Sequence, residues 1–123
     1  MLAHVSLGVR NFARSRAFYD ACLKPLGYAR VYDLPDACGY GLPEEPRFWI
    51  GAERGAKPAK GSHIAFAAPD RRSVRAFHRA ALEGGGADNG KPGLRPHYHP
   101  DYYAAFVIDP DGHRIEALTF SRK

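Results

Sequence analysis

Positions 4–27 repeat at 63–86 without a gap, and this duplication constrains the fold more than any other feature of the chain. Under a shift of 59, His4 meets His63, Arg16 meets Arg75, Ala17 meets Ala76 and Phe18 meets Phe77. Ala21/Ala80, Leu23/Leu82 and Gly27/Gly86 complete seven identities in 24 positions. Val5/Ile64, Leu7/Phe66 and Asn11/Asp70 keep their chemical character. Each copy reads as a strand followed by a helix. HVSLGV (4–9) and HIAFAA (63–68) are the strands. Asn11 and Asp70 can accept hydrogen bonds from the free N–H groups of a first helical turn, so helices are expected at about 12–24 and 71–83. In the first, Ser15, Phe18, Tyr19, Cys22 and Leu23 recur at helical spacing. Lys24-Pro25 and Gly27 stop it, and Gly84-Gly85-Gly86 stops the second.

Three short strands follow each helix, near 28–34, 37–42 and 46–51, then 87–91, 101–109 and 113–120. DPDG (109–112) is a strong turn between the last two. The later strands repeat with a shift of 67, matching Pro43 to Pro110, Glu44 to Asp111 and Arg47 to Arg114. The eight extra residues of the second half fall in GKPGLRPHYHP (90–100), a loop by its Pro and Gly content. The expected fold is α+β. Two βαβββ modules (1–55 and 60–123) pack as one domain over 1–123, each sheet burying one face against the other with helices outside.

Composition narrows the function. The chain is 45% hydrophobic and 25% charged, which excludes collagen-like and disordered classes. It has no apolar run long enough to span a membrane and no leader-like N-terminus, so the cytoplasm is the expected compartment. Cys22 and Cys38 lack CxxC spacing and are expected to be reduced. The net charge of +5 does not mark a nucleic-acid binder. Arg71, Arg75 and Arg79 form the solvent stripe of the second helix, opposite Val74, Phe77 and Ala81, and no nucleic-acid-binding motif is present. A small anionic ligand fits that charge.

The repeat also points to a site. Duplicated units pack about a pseudo-two-fold axis, where equivalent positions converge. His4 and His63 are equivalent, and Glu116 in HRIEAL corresponds to Trp49 in RFWIG. Two imidazoles and one carboxylate suit a divalent transition metal with open positions.

The order βαβββ twice, with HVSLGV, SHIAFAA and DPDGHRIEAL, resembles the vicinal oxygen chelate superfamily. Its members include glyoxalase I, bleomycin-resistance proteins, fosfomycin-resistance thiol transferases and extradiol dioxygenases. The resemblance covers nearly the whole chain. It implies His4, His63 and Glu116 as ligands of a Zn, Mn, Ni or Fe ion acting as a Lewis acid on adjacent substrate oxygens. In glyoxalase I a second, proton-moving Glu stands where this chain has Trp49. The three-ligand pattern is closer to the fosfomycin-resistance enzymes, which also place a hydroxyl at the position of Ser6. Their extended C-terminal segment of basic residues has no counterpart here.

HYHPDYY (97–103) is expected to fold over the cavity. It offers His99 and Tyr102 as catalytic candidates beside Ser6, and His97, with Trp49 and Phe106, as pocket walls. Arg95 is a candidate for an anionic substrate, and Arg114 for pairing with Glu116 or substrate. His78 and His113 read as structural. Two functions follow. One is a metal-dependent lyase, thiol transferase or dioxygenase acting on a small oxygen-chelating molecule. The other is a metal-free module that sequesters a drug-like molecule, as bleomycin-resistance proteins do. A homodimer and a small-molecule substrate are expected as partners, with neither nucleic acid nor membrane.

Overall fold

The computed structural model describes residues 1–123. Module one contains β1 (Val5–Val9), α1 (Phe12–Leu23), a short 3-10 turn (Lys24–Leu26), β2 (Ala29–Asp33), β3 (Ala37–Leu42) and β4 (Glu45–Ala52). Module two contains β5 (His63–Ala67), α2 (Arg71–Glu83), β6 (Ala87–Leu94), β7 (Tyr103–Ile108) and β8 (Arg114–Thr119). The sheets run β1-β4-β3-β2 and β5-β8-β7-β6. In each, the first strand is parallel to the fourth, while the others are antiparallel.

The register carries the duplication to single residues. Ser6 pairs with Trp49, and Ala65 with Glu116. Gly39 pairs with Trp49, and Phe106 with Glu116. These are the correspondences that the shifts of 59 and 67 generate. The helix starts match as well. Asn11 accepts from the Arg14 N–H at 3.1 Å, and Asp70 from the Ser73 N–H at 2.8 Å.

The expectation that sheet buries against sheet, with helices outside, needs correction. One hydrophobic cluster joins Phe18, Tyr19 and Leu23 of α1 and Val74, Phe77 and Ala81 of α2 to both sheets. The two helices also pack on each other. Phe48 meets Phe66 edge-on at 5.0 Å, linking the modules. Strand alternation explains the difference. In module one Cys38, Tyr40, Phe48 and Ile50 point into this cluster. Their alternates are Gly39, Gly41, Arg47, Trp49 and Gly51, so the other face carries one large apolar side chain, Trp49, among glycines and a charge. In module two that face carries His63, Arg114 and Glu116.

DPDG does more than turn the chain. Asp111 is buried and accepts from the Arg10 N–H at 2.8 Å and the Ser15 hydroxyl at 3.0 Å, both in module one. The guanidiniums of Arg10 and Arg14 approach it to 3.4 Å. Asp109 accepts from the Tyr19 hydroxyl at 2.5 Å. Burial, helped by Asp109, pushes the Tyr19 phenol well above its usual pKa. His113 Nε2 lies 2.8 Å from the Gly8 carbonyl. A carbonyl only accepts, so Nε2 carries the proton. The turn is thus a polar strap between modules.

The 90–100 insertion is partly strand. β6 runs on to Leu94 with register shifts at Gly90 and Gly93. Gly90 has φ 154, and a Cβ there would stand 2.9 Å from the Phe106 ring. Arg95 folds back on the carbonyls of Lys91 and Gly93 at 2.8 Å each and lies over Phe106. Cys22 and Cys38 are free and buried. No helix is long and apolar enough to cross a membrane.

Candidate functional site

Parallel pairing of β5 with β8 sets His63 beside Arg114 and Ala65 beside Glu116, on the face turned away from the helices. Glu116 is only 2% exposed. A carboxylate taken that far from water needs partners. It has two. The Tyr102 hydroxyl donates to Oε2 at 2.5 Å, and His63 Nε2 lies 3.3 Å from Oε1. The His63 side chain remains 56% exposed, so the pair has one dry member and one wet member. Burial, and then the bond to Glu116, holds the Tyr102 phenol above its ordinary pKa, so it stays a donor at neutral pH. Edge-on contacts to Tyr98 at 5.1 Å and Phe120 at 5.4 Å fix its ring.

These groups line a cavity of about 540 Å³ with Asn89, Tyr98 and Phe106. A neighbouring cavity of about 330 Å³ shares His63, Ser62 and Arg114 with it and extends to Ser6 and Lys57. A third, apolar groove of about 570 Å³ runs between the modules past Leu23, Tyr28, Tyr40, Phe48 and Phe66.

His63, Glu116, Tyr102 and Phe106 therefore line one cavity. Ser6 reaches only the neighbouring cavity. Trp49 lies in module one, its Nε1–H donating to the Pro46 carbonyl at 3.2 Å and its ring against Tyr32. His97 packs on Tyr98 at 4.1 Å. His99 accepts from the Asp101 N–H through Nδ1 and packs edge-on against Phe120. Neither histidine lines the cavity; both shape the loop that carries Tyr98 and Tyr102. Arg114 shares the face of Glu116 but makes no ion pair with it. His78 is structural, bonded to Asp88 at 2.9 Å, and this bond lowers the Asp88 pKa. Sequence reasoning missed Ser62, Asn89 and Tyr98. Only Tyr98 carried a signal, as an aromatic in HYHPDYY.

Within one chain, no three His, Cys, Asp or Glu side chains gather into a metal-binding group. His63 and Glu116 are adjacent, but His4, exposed just before β1, is not brought to them. A single chain thus offers two of the three ligands, and its donor set does not by itself fit a three-ligand centre.

The glyoxalase/bleomycin resistance protein/dioxygenase superfamily model matches residues 1–117. A glyoxalase/bleomycin resistance protein from Albidiferax ferrireducens is 33% identical, with a TM-score of 0.86, covering 94% of this chain and 96% of that one. A glyoxalase-related enzyme from Fulvimarina pelagi is 19% identical, with a TM-score of 0.74 over 97% and 87% of the two chains. The fosfomycin resistance protein FosX from Listeria monocytogenes is 17% identical, with a TM-score of 0.72 over 99% and 94%. No curated protein matches in sequence. Two βαβββ modules, the register that repeats between them and a family match across nearly the whole chain agree: this chain belongs to the glyoxalase/bleomycin resistance protein/dioxygenase superfamily.

Proposed function

We propose that the protein is a homodimeric, divalent-metal-dependent enzyme acting on a small oxygen-bearing molecule in the Glu116 cavity. His63 and Glu116 of one copy would bind the ion, with His4 of a second copy as third ligand. The observation that supports this most is Glu116, a buried carboxylate aimed at an open cavity and held by Tyr102 and His63. β1 and β5 are both sheet edges, and the faces carrying Ser6 and His63 are open in one chain, which leaves room for a second copy. When bound, the ion would polarise substrate oxygens as a Lewis acid. Tyr102 orients Glu116 and presents a fixed donor at the cavity wall. Phe106 and Tyr98 give that wall its aromatic surface.

Metal analysis and light scattering test this together. Twice the 13.6 kDa chain mass and one divalent ion per site are expected. His4→Ala, His63→Ala and Glu116→Ala should each abolish stoichiometric loading. Tyr102→Phe removes an outer partner of a ligand and should lower metal affinity about 10–100-fold. Full loading of Glu116→Ala would refute the assignment. The apolar groove favours a second reading, metal-free capture of an apolar small molecule, because its volume falls in the range of ligand sites. That reading predicts ligand binding unchanged in Glu116→Ala.

A further inference from the structure

The cavity beside the Glu116 site has a one-signed lining. Lys57, Arg114, His63 and His113 line it, with the hydroxyl-bearing Ser6 and Ser62, and none of its twelve lining residues is acidic. Neither Lys57 nor Arg114 is spent within the chain. The ion pairs of the protein use Arg10, Arg14, Arg30, Arg47 and Arg122, and His63 and His78. The serine hydroxyls are equally free, since the serine side chains engaged in hydrogen bonds are those of Ser15, Ser73 and Ser121.

Lys57 is not on a loose strand of chain. Ala56 before it is buried, and its carbonyl accepts from Arg10 Nη1 at 3.3 Å. Pro58 after it packs on the DPDG turn, its Cγ 3.2 Å from where a Cβ on Gly112 would stand. Arg114 is set by the β5–β8 register opposite His63. His113 is pinned to the Gly8 carbonyl at the floor. Two free cations and two free hydroxyls thus converge from β1, the linker and β8.

We infer that this cavity is an oxyanion subsite, which Lys57, Arg114, Ser6 and Ser62 build to hold a carboxylate or phosphoryl group of the substrate. The inference rests on the proposed reading of the Glu116 site and names its substrate class: a small molecule with an anionic group at one end and an uncharged oxygen function at the other. His63, Ser62 and Arg114 border both cavities, so a molecule anchored in the smaller one extends past His63 toward Glu116 and Tyr102. The two unpaired cations of the smaller cavity take the anionic end, which leaves the uncharged oxygen function to reach the larger cavity.

Amide chemical shifts of the full chain, titrated with sodium phosphate and separately with sodium acetate against chloride of equal ionic strength, test this. Saturable shifts at Ser62, His63 and Arg114 are expected with at least one of the two anions. The one that binds more tightly identifies the group as phosphoryl or carboxylate. Lys57→Ala/Arg114→Ala should weaken that binding by at least about tenfold, since a charged hydrogen bond is worth that much. Arg72→Ala/Arg79→Ala removes the same charge from the exposed side of α2 and should leave it unchanged. A thermal midpoint for each variant shows that it is folded. Absence of saturation with both anions, or equal weakening in both double variants, overturns the inference. Metal loading is measured separately. A chain that loads metal but binds no oxyanion fails here alone, and one that binds oxyanion but loads no metal fails the metal reading alone.

Discussion

Asp111→Ala is expected to lower the thermal midpoint by roughly 10–15 °C. The carboxylate is buried and satisfies the Arg10 N–H and the Ser15 hydroxyl across the module boundary. Alanine leaves both donors without a partner. Stranding buried donors costs about 1–3 kcal/mol each, and roughly 3 kcal/mol in total is a moderate sum. For a domain of this size, 1 kcal/mol moves the midpoint by about 3–5 °C. The guanidiniums of Arg10 and Arg14 add little, because both are over 40% exposed and water replaces the carboxylate for them. Asp111→Asn keeps one acceptor and should lose about half as much. Calorimetry checks the pair. A drop of less than about 3 °C for Asp111→Ala would show that the strap does not hold the modules together.

The second large effect is a missing activity. Lactoylglutathione formation from methylglyoxal and glutathione should stay below a kcat/KM of about 10⁴ M⁻¹s⁻¹ with added Ni, Zn, Mn or Fe. That isomerisation needs a base that takes a proton from one carbon and returns it to the next. The resemblance to glyoxalase I assigns the task to a second Glu, at the position of Trp49. Indole has no basic lone pair and only donates its N–H. Here that N–H is spent on the Pro46 carbonyl. His97 and His99, the nearest substitutes in the sequence, line no part of the cavity, and His99 Nδ1 is occupied by the Asp101 N–H. Tyr102 is the remaining candidate, and its phenol is held above its ordinary pKa by burial and Glu116, which makes it a donor rather than a base. Loss of general-base catalysis costs about 10²–10⁴-fold. Turnover in the usual enzyme range would contradict this account of Trp49.

The internal repeat made most of the fold legible. The two shifts predicted which positions are equivalent, and the Ser6–Trp49 and Ala65–Glu116 registers correspond to each other residue by residue. His63 lies near Glu116 in the structure because both belong to one sheet, across the parallel β5–β8 pair, and not because a pseudo-two-fold axis brings two modules together. The helices' apolar stripes were legible too, but not what they would pack against. A repeat says which positions are equivalent. It does not say whether equivalent modules meet within one chain or between two, since that depends on how α1 and α2 share the core. His4 lay beyond that limit. Lys57 and Ser62 lay beyond it for another reason. They sit in a linker with no periodicity, and tertiary contacts, the burial of Ala56 and the packing of Pro58 on Gly112 among them, fix where that linker runs. Arg95 read as a substrate contact because its charge was visible, whereas the carbonyls of Lys91 and Gly93 that bind it were not.

Mixing two inactive variants tests the shared centre most directly. His4→Ala and His63→Ala should each load no metal alone. If each centre takes His4 from one copy and His63 with Glu116 from the other, a mixed dimer regains one complete set of ligands. The His63→Ala chain supplies its His4, and the His4→Ala chain supplies its His63 and Glu116. After co-refolding at equal concentration, metal should return at one ion per mixed dimer. A mixture in which mixed dimers form but load no metal, while the wild-type chain loads it fully, would contradict a centre shared between copies.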